Sequence, residues 1–162
     1  MEGEFGWHPS PDRAPRFSLL CHMQPPSPNK LRLLLIEDNP ADSNLVEEAL
    51  AEAHLDYILE LLDDGSAALE FIATLDADPA GPGPELILLD LNLPKVNGEE
   101  VLKRIRSSPK CKSAKVIIIS SSDAPADRER AMRLGASDYF RKPSSLDQFM
   151  ELGQRVRSVL EN

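Results

Sequence analysis

Four hydrophobic runs in this chain each stop at residues able to do chemistry. Leu33-Leu34-Leu35-Ile36 ends at Glu37-Asp38, Leu86-Ile87-Leu88-Leu89 at Asp90, Val116-Ile117-Ile118-Ile119 at Ser120, and Asp138-Tyr139-Phe140-Arg141 at Lys142-Pro143. If each run is a buried parallel strand, three carboxylates, a hydroxyl and an ammonium emerge at one edge of one sheet. Open α/β sheets place their ligand sites at that edge. Adjacent carboxylates such as Glu37 and Asp38 repel each other, and a hard cation taking oxygen ligands relieves the strain, so magnesium or manganese fits. Asp90 is the candidate nucleophile toward phosphorus, with Lys142 and the Ser120 hydroxyl available to hold phosphoryl oxygens. Each residue alone also has an ordinary reading. Asp38 or Asn39 could simply cap the next helix, Lys142 could be a solvated turn residue, and Ser120 is one of three serines in a row. It is their joint occurrence after four separate runs that favours chemistry.

The elements that must position these groups alternate from Lys30 to the end of the chain. Pro40 suits a helix start, with Leu45, Val46, Ala49, Leu50 and Ala53 on one face. Tyr57 to Leu62 reads as a strand, and Asp63-Asp64-Gly65 turns into a helix carrying Leu69, Ile72 and Leu75. A Pro/Gly loop over 78–84 leads to the third strand. Asn92-Leu93-Pro94 then precedes a helix with Val101, Leu102 and Ile105, closed by Pro109. The fourth strand is followed by a helix over 125–134 that Gly135 stops. After a short fifth strand, Ser145 and Gln148 form a capping-box pattern for a last helix with Leu146, Phe149, Leu152, Val156 and Leu160 on one face. Five strands alternating with five helices predict right-handed crossovers and a mostly parallel sheet covered on both faces.

Composition narrows the function classes. The chain has 162 residues and a net charge of −9, with a pI near 4.8. That length suits one domain. Direct binding to nucleic acid or an anionic membrane would need a clustered basic face, so neither is expected. No apolar stretch approaches the roughly 20 residues needed to span a bilayer, and no secretory signal pattern opens the chain, so a cytoplasmic protein is expected. Cys21 and Cys111 lack metal-site spacing and are expected as reduced thiols. Residues 1–29 hold prolines at 9, 11, 15, 25, 26 and 28 without periodicity, which predicts a disordered N-terminal extension. Within it, Phe17, Leu19 and Leu20 are the only hint of a docking segment, and Met23 is an alternative start.

The acidic pair Glu37-Asp38, the segment Leu89-Asp90-Leu91-Asn92-Leu93-Pro94 through Gly98, the hydroxyl of Ser120 and the pair Lys142-Pro143 resemble, in order and spacing, the receiver domain of two-component response regulators. The resemblance covers 31–160. It implies a flavodoxin-like, doubly wound (βα)5 fold with a five-stranded parallel sheet in the order 2-1-3-4-5. It also implies that Asp90 accepts a phosphoryl group from a histidine of a sensor kinase in a magnesium-dependent reaction. Asp38, Asp90 and the backbone carbonyl of Asn92 would hold the metal, with Glu37 acting mainly through water. Ser120 and Lys142 would contact the phosphoryl group, and Tyr139 occupies the aromatic switch position. Two departures stand out: the family often has Asp where this chain has Glu37, and Thr where it has Ser120. Both keep the functional group, so they bear on rates and metal affinity more than on function.

The domain expected over 30–162 is followed by no separate output domain, so the signal would leave through protein contacts or a phosphorelay. Met150, Val159 and Leu160 of the last helix could serve a homodimer or cover the sheet. The Asp-Leu-Asn-Leu-Pro-Lys run and the Pro/Gly loop are similar to single-domain regulators paired with bacterial phytochrome kinases, which implies a bacteriophytochrome as the kinase. The expected role is signalling, not enzymatic turnover. Two other classes compete: a scaffold with this fold that is never phosphorylated, and an aspartyl-nucleophile phosphohydrolase. The latter commonly needs a second carboxylate two residues after the nucleophile. Here that residue is Asn92.

Overall fold

The computed structural model describes residues 30–162. The expectations for the N-terminal extension, including Cys21, Met23 and the apolar residues near Phe17, lie outside the described residues. Ten elements alternate in chain order: β1 (Leu31–Ile36), α1 (Pro40–Glu52), β2 (Tyr57–Leu62), α2 (Gly65–Ala77), β3 (Leu86–Asp90), α3 (Gly98–Ser107), β4 (Lys115–Ser120), α4 (Pro125–Arg133), β5 (Asp138–Arg141) and α5 (Leu146–Glu161). The strands form one sheet in the order β2-β1-β3-β4-β5, with every neighbouring pair parallel. This is the flavodoxin-like order that the family resemblance implies, in the parallel sheet that the alternation of elements predicts.

Alternate strand residues point to opposite faces, and each face has its own core. Leu34, Ile36, Ile87, Leu89, Val116 and Ile118 pack with α2 and α3 and with Ala131 of α4. The other face, Leu33, Leu35, Leu86, Leu88, Ile117 and Ile119, packs against α1 and α5. Because both faces are covered, β3 is buried along its whole length, which is why its sequence is apolar without alternation.

Helix starts follow local chemistry. The Asn39 side chain accepts from the Ala41 N–H at 2.9 Å, Asp64 from Ala67 at 2.7 Å, and Asn97 from Glu100 at 3.0 Å; each satisfies a donor that the helix leaves open. The capping box expected at Ser145 does not form, since Ser145 makes no side-chain cap bond. Residues 145–148 are exposed, so solvent competes for the open N–H groups and the reciprocal bonds are dispensable. Leu146 is also 54% exposed, and the inward face of α5 begins at Phe149. Met150, Val159 and Leu160 are partly buried against the α1/α5 core, which favours the sheet-covering role considered for them.

The loop before β3 is tied down by residues of α3 and of the segment that follows it. Asp76 accepts from Arg104 at 2.6 Å and from the Ser108 hydroxyl at 2.5 Å. Burial works against its charge, but these bonds outweigh it and hold the carboxyl below the usual range. Lys110 then donates to the carbonyls of Pro79 and Gly81. Cys111 is a buried free thiol.

Candidate phosphoacceptor site

Register brings the chemistry together. Ile36 pairs with Leu89, so Glu37 leaves β1 beside Asp90, the last residue of β3. Asp90 pairs with Ile119, and Ser120 pairs with Arg141, so Ser120 and Lys142 each come one step further along the same edge. The Lys142 N–H donates to the Ser120 carbonyl at 2.8 Å, which fixes the backbone from which the lysine reaches inward.

The Lys142 ammonium donates to three carboxylates at 2.8 Å each: Glu37 Oε2, Asp42 Oδ2 and Asp90 Oδ2. Burial disfavours its charge, yet the bonds to Asp42, Asp90 and Glu37 together outweigh that cost and hold the ammonium above its ordinary range. Asp90 is buried, and its Oδ1 accepts from the Asn92 N–H at 2.8 Å. Glu37 is buried as well. Burial pushes its carboxyl up to about 7, and the Asp90 charge adds to this against the opposing Lys142 bond. Oxygens of Glu37, Asp38 and Asp90 lie within 4.8 Å of one another, with Asp38 exposed at the mouth. Three hard oxygen donors clustered with an open side suit a magnesium or manganese ion that keeps several waters.

Ser120 is fully buried at this edge, but its hydroxyl oxygen accepts from the Ser122 N–H at 3.2 Å. Tyr139 is buried and its hydroxyl donates to the Ser122 carbonyl at 3.0 Å. The ring at the aromatic switch position that the resemblance implies thus points inward. Ser122, whose hydroxyl donates to Asp127 of α4 at 2.6 Å, joins the strand edge, the tyrosine and the helix. Beyond Asp90, the chain turns through Lys95 at φ 67. It returns so closely that a Cβ on Gly98 would sit 2.4 Å from the Asp90 carbonyl oxygen. Only glycine permits that approach.

Two participants were not anticipated. Asp42, the third residue of α1, reads in the sequence as an acid placed to favour a helix N-terminus; its position four residues after Asp38 is the signal that could have drawn attention to it. Ser122 was hidden in the run of three serines.

A parallel 2-1-3-4-5 sheet with an acidic pocket and a lysine at the carboxyl edge defines a receiver domain. The chain belongs to the response regulator receiver domain family, which it matches over residues 33–154. It is 37% identical to Response regulator Rcp1 of Synechocystis over 126 residues, 78% of this chain and 86% of that protein. The crystal structure of the Mn2+-bound form of Rcp1 superimposes with a TM-score of 0.69 over 79% of this chain and 92% of the other. The phosphorylated cyanobacterial phytochrome response regulator RcpA is 32% identical, with a TM-score of 0.71 over 82% and 95% of the two chains. The bacteriophytochrome response regulator RtBRR is also 32% identical, with a TM-score of 0.67 over 82% and 79%.

Proposed function

We propose that Asp90 is the phosphoacceptor of a response regulator that takes its phosphoryl group from a sensor histidine kinase. The observation that carries this reading is the buried Asp90 carboxylate held between the Lys142 ammonium at 2.8 Å and the Asn92 N–H at 2.8 Å, beside Glu37 and Asp38. In the transfer, an Asp90 carboxylate oxygen forms a bond to phosphorus as the bond from phosphorus to the donor imidazole nitrogen breaks. The electron pair of the broken bond stays on that nitrogen, and the histidine leaves as a neutral imidazole with its proton on the other ring nitrogen. Lys142 follows the charge from the carboxylate to the phosphoryl oxygens, and Ser120 supplies a hydroxyl from the neighbouring strand end. Asp38, Asp90 and the Asn92 carbonyl would hold a divalent cation, with Glu37 acting mainly through water. When bound, that cation neutralises charge on the transferring group.

Residues 30–162 act in this reading as the receiver unit of a cytoplasmic protein, and a sensor histidine kinase is its donor. The similarity to RcpA and RtBRR, both phytochrome response regulators, supports a bacteriophytochrome as that kinase. Among the described residues no helix is long and apolar enough to cross a membrane. Intact-mass measurement after incubation with acetyl phosphate and magnesium tests the chemistry. One metal-dependent phosphoryl group is expected on the native chain and none on Asp90→Asn; equal labelling of both would sink the assignment. Run with phosphorylated kinases as donors, the same assay tests the partner. A bacteriophytochrome kinase should transfer faster than unrelated kinases, and equal rates would remove the narrower claim.

A further inference from the structure

We propose that Asp42 is a positioning residue for Lys142, keeping the ammonium in place while its other two acceptors are committed to the reaction. This rests on the phosphoacceptor reading above. A lysine ammonium has three N–H donors, and here each goes to a different carboxylate at the same 2.8 Å. Two of those carboxylates are engaged when the site works. Asp90 transfers its charge to the phosphoryl oxygens, and Glu37 belongs to the cluster suited to a cation. Asp42 is not in that cluster. It sits in the first turn of α1, on a different element from the other two, and it alone is free to keep its bond through the transfer.

Geometry makes that bond consequential. The backbone of Lys142 is fixed at the sheet edge, but four torsions separate it from Nζ, and a long flexible side chain loses precision unless its tip is held. With Asp42 in place, the ammonium turns one N–H from Asp90 to a phosphoryl oxygen without leaving the pocket. Without it, the tip must be recaptured at each transfer.

The test uses Asp42→Ala and Asp42→Asn in the full chain, with acetyl phosphate as donor at saturating magnesium. Asp42→Ala is expected to lower the phosphorylation rate on the order of tenfold, the equivalent of one hydrogen bond to a charged group. Asp42→Asn, which keeps an acceptor oxygen, is expected to recover most of that loss. Magnesium affinity, measured separately by titration, should change less than about twofold, because Asp42 lies outside the cation cluster. A second readout needs neither metal nor phosphate. The 1H–15N signal of the Lys142 ammonium in the metal-free protein should be sharp in the native chain, broadened by Asp42→Ala and retained in Asp42→Asn. Native-like rates together with an unchanged ammonium signal in Asp42→Ala would overturn this inference and leave the phosphoacceptor reading intact. A slowdown fully explained by weaker magnesium binding would also overturn it. Failure of the native chain to take phosphate from any donor would overturn both.

Discussion

Glu37 faces two opposed demands. Its burial favours the protonated acid, with a carboxyl pushed up to about 7, whereas a cation requires the ionised form. In the unfolded chain the proton leaves near 4.5. The contribution of this group to metal-free stability is therefore complete below the unfolded value and is lost as pH rises through about 7. Magnesium binding must expel the proton, so the apparent affinity should rise about tenfold between one pH unit below that value and one above. Calorimetric titration at the two pH values would show it, with proton release at the lower one. Glu37→Gln should bind magnesium more weakly and abolish the step, and a step that survives the substitution would point to another group. The choice of Glu over the commoner Asp at this position was visible in the sequence. Its elevated carboxyl was not, because it depends on burial beside Asp90 across two strands.

At the scale of elements, the site depends on how closely α1 lies against α5. A Cβ on Gly153 would fall 2.3 Å from the Ala49 carbonyl oxygen and 2.7 Å from the Ala53 Cβ, and backbone cannot yield cheaply to such an intrusion. Arg157, one turn further along α5, donates to the Ala53 carbonyl and closes the end of α1. Asp42 rides on α1, whereas Lys142 is held at the end of β5, so the seating of α1 against the sheet and α5 bears on the distance between them. Gly153→Ala should cost about 1–3 kcal/mol through overpacking, read as a lower urea midpoint with an unchanged slope. A midpoint equal to that of the native chain would mean the helices separate without penalty. In the sequence Gly153 reads only as a weak point in a helix. Its packing role appears once α1 and α5 are known to be neighbours across more than a hundred residues.

For the whole molecule, the question is how charge at one edge reaches a distant surface. Ser120 Oγ accepts from Ser122, whose carbonyl is held by Tyr139 and whose hydroxyl is held by Asp127 of α4. If Ser120 turns to a phosphoryl oxygen, the Ser122 N–H loses its acceptor and the loop must rearrange, carrying α4 and the tyrosine with it. α4 is suited to move, since Ala131 is its one buried residue and little apolar contact resists the shift. A beryllofluoride complex should therefore shift amide resonances across residues 121–160, Ser122 and Asp127 among them. Unchanged shifts there would mean that Tyr139 is a core aromatic and not part of a switch.

The alternation of elements, the sheet order implied by the family resemblance, and the placement of Asp90, Glu37, Asp38, Ser120 and Lys142 at strand ends can all be read from the order of the residues. Those features are legible because a buried parallel strand announces itself as a continuous apolar run, and the polar residue that ends the run marks the sheet edge. Local residue types narrow the cap of α1 to Asp38 or Asn39 and mark the turn at Asp63-Asp64-Gly65. That one ammonium serves three carboxylates, including one 100 residues away at Asp42 and one 105 away at Glu37, follows from the packed fold alone. So do the link that Ser122 makes between Ser120 and Tyr139 and the missing side-chain cap at Ser145. Hydrogen bonds of 2.8 Å and the desolvation of buried charge depend on which strands and helices become neighbours. That is settled by packing over the whole chain, and no local spacing encodes it.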